Sequence, residues 1–163
     1  MYITDKYWGE YIGGSDDSMT LVAYLARRRD EDVSLGEIFS DFGLDRLGGE
    51  FRRPETPLVY DDPYGWEMEI HYAISLISDL AALLLECRTG GPVDLHLLDE
   101  ADVEEPLTCI RLRAAEEENA LIDQTLRDFA SHPEEYDISE MLSAEELREM
   151  AAVCGELRKE LYG

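Results

Sequence analysis

The sequence predicts an α+β fold, mostly α: a central apolar helix packed by amphipathic helices, with a small antiparallel β-hairpin or sheet at one side. Three observations predict it. Glu67–Arg88 is a long run without Gly or Pro, and most of it is apolar. Four other segments repeat apolar residues at helical spacing. Two short runs, 93–97 and 107–113, alternate with a period of two. At 163 residues the chain reads as one domain, 1–163, long enough to bury a core.

The first dozen residues carry Tyr2, Tyr7, Trp8 and Tyr11 and are expected to be extended and tied down. Gly13 to Ser18 is a turn into a helix reaching about Arg29, with Met19, Val22, Leu25 and Ala26 facing inward. Asp16 and Asp17 suit its positive end and Arg27, Arg28 and Arg29 its negative end. A short helix follows. Ser34 and Glu37 form a capping-box pair, Val33 and Ile38 a hydrophobic staple, and Gly43 a left-handed stop. Residues 45–65 are rich in Gly and Pro and irregular, with one short strand at 56–60.

The central helix follows, expected over Glu67–Arg88 and ending at Thr89-Gly90-Gly91-Pro92. Its polar residues, His71, Ser75, Ser78, Asp79 and Glu86, fall in a narrow stripe. A helix this apolar is surrounded by other elements. Its uncharged stretches fall short of the ~20 residues of a bilayer span, and Asp79 interrupts them. That carboxylate is expected to be paired or near the rim. Val93–Leu97 and Leu107–Arg113 then read as an antiparallel hairpin around an acidic loop. Helical spacing returns from Ala115 until His132-Pro133. A last helix begins at a second full signature, Ser143 with Glu146 and Leu142 with Leu147; its Gly155 marks a close helix–helix contact.

The charge is unusual. Thirty-eight acidic residues against fourteen Lys and Arg leave a net charge of -24, spread over the chain. Such a field repels nucleic acid and anionic membranes and attracts a basic partner; solubility alone is the plainer explanation. Cys87, Cys109 and Cys154, odd in number and far apart, read as reduced thiols in a cytoplasmic protein. The N-terminus shows no secretory pattern.

Residues for catalysis are lacking. There is no G-x-S-x-G elbow, P-loop or G-x-G-x-x-G after a strand. His71, His96 and His132 have no zinc-ligand spacing with the cysteines. His71 reads as a satisfied buried imidazole, and on one helix it would lie ~24 Å from Cys87. Asp16-Asp17, Asp61-Asp62 and Glu104-Glu105 are adjacent acids with nothing to separate their pKa values. No catalytic residue, cofactor or metal is expected. The loop holding Asp99, Glu100, Asp102, Glu104 and Glu105, with Val103 as an apolar contact, is the first candidate for docking a basic surface. The Asp16/Asp17 turn and Asp61/Asp62 come next.

Three stretches, YWGEYIGGSDDSMTLVAYL (7–25), SLGEIFSDFGL (34–44) and WEMEIHYAISLISDLAALLLEC (66–87), together resemble cytosolic immunity proteins of bacterial polymorphic toxin and contact-dependent growth-inhibition systems. The landmarks are the G-G-S-D-D-S turn before a helix and the acid-containing apolar helix. The resemblance implies a non-enzymatic protein that binds a sibling's toxin domain and blocks its active site or substrate groove. Many such toxins are basic nucleases, which fits the charge. Immunity families share no common toxin-binding surface, so the resemblance assigns no contact residues. The competing expectations are an acidic regulatory or nucleic-acid-mimic protein that occupies a basic host factor, and an enzyme using carboxylates or a divalent metal.

Overall fold

A computed structural model describes residues 1–99 and 105–163. The N-terminus is not extended. It opens with a helical turn, α1 (Tyr2–Lys6). Five residues do not hold a helix by propensity; tertiary contacts hold this one. Glu86 accepts the Ile3 N–H at 3.0 Å, and the Tyr2 and Tyr7 hydroxyls both donate to Glu160.

The next helix, α2 (Asp16–Ala26), is capped by Ser15, whose hydroxyl accepts the Ser18 N–H at 3.1 Å. Leu21, Val22, Leu25 and Ala26 are buried as their spacing demands, but Met19 is 58% exposed. The inward place at the start of the helix is taken by Ser18, which turns Met19 outward. A three-residue strand unexpected from sequence, β1 (Asp32–Ser34), leads into α3 (Leu35–Phe42). Ser34 caps α3 and Gly43 closes it at φ +82°. Glu37 does not complete the box; it pairs with Arg28 at 2.7 Å.

The strands β2 (Leu58–Asp61) and β3 (Glu67–Ile70) form an antiparallel hairpin, with Leu58 opposite Ile70 and Asp61 opposite Glu67. The central helix therefore starts later than expected, as α4 (Ala73–Thr89). Met68 and Ile70 alternate inward from β3, and the chain turns at His71. His71 is thus exposed and lies off the helix; it is no buried imidazole. From Ala73 to Glu86 every residue of α4 is buried, Ser75, Ser78 and Asp79 included.

β4 (Val93–Asp94) pairs antiparallel with β5 (Cys109–Arg113), Val93 opposite Ile110. The first arm of the expected hairpin is cut short because Leu95–Leu97 is a 3-10 turn, fixed by Asp94 accepting the His96 N–H at 3.0 Å. β1 pairs parallel with the other edge of β5, Val33 opposite Leu112, so the sheet is mixed and not purely antiparallel.

The last two helices are α5 (Glu116–Ser131) and α6 (Ala144–Tyr162). Glu118 accepts the Ala115 N–H at 2.7 Å, and Ser143 and Glu146 complete their capping box. Gly155 of α6 faces Ala130 of α5; a Cβ built on it would lie 3.4 Å from the alanine methyl. α4 packs against α1, α2, α5, α6 and β5. The result is α+β and mostly α, as the sequence predicts. No helix among the described residues is long and apolar enough to cross a membrane.

Candidate functional site

The turn at residues 13–18 is built by the buried helix beneath it. Gly13 has φ +79°, and a Cβ there would fall 2.1 Å from the Trp8 ring; one on Gly14 would fall 2.1 Å from the Glu10 carbonyl oxygen. Only glycine fits either place. The Gly13 N–H consequently reaches Asp79 Oδ1 at 2.8 Å, while the Ser18 hydroxyl donates to Oδ2 at 2.6 Å. Asp79 is fully buried and paired; of the two expected placements, the rim is excluded. Burial pushes its carboxyl up to about 7 against the pull of these two donors, and the Asp17 charge adds to the rise.

Asp17 makes the reverse connection. It is buried on α2 and accepts the His71 and Tyr72 N–H groups at 2.7 and 3.0 Å, just ahead of α4, whose Tyr72 cap offers no side-chain bond. Burial raises its pKa, and the two backbone donors oppose that rise. Each helix thus sends one carboxylate to the other's approach. Asp17 faces inward, while its neighbour Asp16 is exposed.

Asp16 borders a cleft of about 420 Å³ between this turn, residues 71–75 and residues 138–150. Tyr11, Tyr72, Ile138, Met141, Leu142 and Met150 give it apolar walls, and Glu10, Asp16 and Glu146 are exposed carboxylates on its lining. Met141 is 68% exposed. The sequence contains no single signal for this cleft, because its walls come from three distant segments.

Asp61 and Asp62 lie on the β2–β3 hairpin and part company. Asp61 is exposed. Asp62 is buried, bonded to Arg27 at 2.7 Å and to the Tyr64 N–H at 2.6 Å. The Arg27 hydrogen bond holds its carboxyl below the usual range, with burial opposing. Arg27 also lies 4.6 Å from the centre of the Trp66 ring. Arg27 and Arg28 are therefore engaged with Asp62 and Glu37, and no basic residue falls in the last turn of α2. Tyr64 and Trp66 at the hairpin tip are exposed aromatics that alternation patterns do not single out.

Of the acidic loop, Asp99 is half-buried and Glu105 exposed; Glu100, Asp102, Val103 and Glu104 lie outside the described residues. The loop, the Asp16 turn and the Asp61 hairpin are separate in the sequence, and of their described acids only Asp16 and the inward-facing Asp17 line the apolar cleft. Cys87, Cys109 and Cys154 are free thiols; burial pushes Cys154 up to about 12, which suits packing and not nucleophilic chemistry. Among the described residues no three His, Cys, Asp or Glu side chains converge to hold a metal ion.

No curated protein and no solved structure matches the chain. A family model described as Immunity protein 68 matches residues 2–161, nearly the whole chain, and the chain belongs to that family.

Proposed function

As a member of the immunity protein 68 family, we propose, this chain neutralises a cognate toxin domain by binding it and covering its active site, and performs no reaction itself. The single observation that carries the finer reading is the net charge of -24, carried on a largely helical body. Charge of that size steers a basic partner into encounter and raises the association rate, while apolar anchors hold the complex. A toxin domain with a basic substrate groove, such as a nuclease, is the partner that this charge meets best. The same charge disfavours direct binding to nucleic acid or to an anionic membrane. The reading places the protein in the cytoplasm, as one unit over 1–163, without a cofactor.

Growth of cells expressing the toxin domain encoded beside this chain tests the proposal. Co-expression of the chain should restore growth against that toxin and not against an unrelated one. Unprotected cells containing folded protein would end the reading.

A further inference from the structure

The cleft beside Asp16 joins two properties, apolar walls and carboxylates with no Lys or Arg among the lining residues. Elsewhere on the surface several acids are engaged by cations. Asp62 pairs with Arg27, Asp128 with Arg52, Glu37 with Arg28, and Glu160 with Lys6. Among the described residues no Lys or Arg lies in ion-pair distance of Glu10, Asp16 or Glu146, and none lines the cleft. The N-termini of α2 and α6 both reach this cleft and would repel a cation with roughly half a positive charge each. Their first turns carry Asp16 and Asp17, and Glu145 and Glu146, which outweigh that charge.

Resting on the toxin-binding reading, we infer that this cleft seats a Lys or Arg side chain of the toxin domain together with an adjoining apolar side chain. About 420 Å³ is room for one or two side chains. The aliphatic stem and its apolar neighbour lie against Tyr11, Tyr72 and Met141, and the cationic head sits among the carboxylates of Glu10, Asp16 and Glu146. Long basic side chains bury their stems and keep their heads at a polar edge in this way. The exposed Met141 supplies an adaptable contact.

The test uses the full ¹⁵N-labelled chain and two probes, N-acetyl-Trp-Arg-amide and N-acetyl-Trp-Glu-amide. The arginine probe should shift the amide signals of Gly14, Asp16, Tyr72 and Met141 saturably, and the glutamate probe should not. In the variant Glu10→Gln/Asp16→Asn/Glu146→Gln, which keeps a side-chain oxygen for the α6 cap, the response should weaken roughly tenfold. Met141→Lys should weaken it as well. Shifts scattered over the surface, or equal for both probes, overturn the assignment. With the toxin domain itself, a triple variant that binds as tightly as the wild type overturns the cleft and leaves the general reading standing. A wild-type chain that does not bind the toxin domain at all defeats that reading, and the toxin segment with it.

Discussion

The Ser18 hydroxyl donates to the buried Asp79 carboxylate at 2.6 Å, joining the first turn of α2 to the middle of α4. With the Gly13 N–H on the other oxygen, one carboxylate holds the whole 13–18 turn in place. Asp79→Ala strands both donors in the core and should cost ~2–4 kcal/mol in denaturant unfolding. Asp79→Asn keeps one acceptor oxygen and offers its amide to Ser18, so its loss should be far smaller. Folded Asp79→Ala should still bind toxin. An unchanged unfolding midpoint with lost binding would contradict the structural role of this residue.

Stability should also fall as pH rises. Burial lifts the Asp79 carboxyl to about 7 and the Asp137 carboxyl to about 6, both above the ~3.9 of an unfolded aspartate. The folded chain therefore keeps these protons after the unfolded chain has lost them. Its advantage is full below the unfolded value and disappears as pH climbs through about 6 and about 7. Asp62 and Asp128, held low by Arg27 and Arg52, act in the opposite sense in the acid range. Melting curves between pH 5 and pH 8 should show the Asp79→Asn variant gaining on the wild type as pH rises. Parallel curves would show that Asp79 does not titrate there.

Gly155→Ala should stabilise the protein. The residue is helical, its new methyl meets Ala130 at an ordinary contact distance of 3.4 Å, and Ala exceeds Gly by ~1 kcal/mol in helix propensity. Gly155→Leu has no such space and should destabilise. A lower melting temperature for the alanine variant would mean that α5 and α6 cannot give way even slightly.

Neutralising Asp99, Glu100, Asp102, Glu104 and Glu105 together should slow toxin association roughly several-fold at low salt and leave the fold intact. Stopped-flow mixing reads the rate directly. If it does not change, the encounter surface lies instead at the Asp16 cleft or the Asp61 hairpin.

Local signals carried most of the fold. Ser34 and Ser143 cap helices where their spacing to Glu37 and Glu146 placed them, and α4 ends at the Thr89-Gly90 stop. What could not be read was set by contacts distant in sequence. α1 depends on Glu86 and Glu160, and β1 on β5 some eighty residues further on. The Glu67–Ile70 strand was hidden because its two inward residues, Met68 and Ile70, also continue the apolar pattern of the helix that follows. At the surface, the sequence distinguished neither Asp16 from Asp17 nor Asp61 from Asp62. Those pairs separate only when Tyr72 and Arg27 are in place to capture one member of each.

The most direct measurement is a titration of the cognate toxin domain's activity with the purified chain at low and high salt. The account predicts activity falling to zero at one chain per toxin domain, with the affinity weakening steeply as salt rises. Full toxin activity in the presence of excess folded chain, or equal affinity at both salt concentrations, would contradict it.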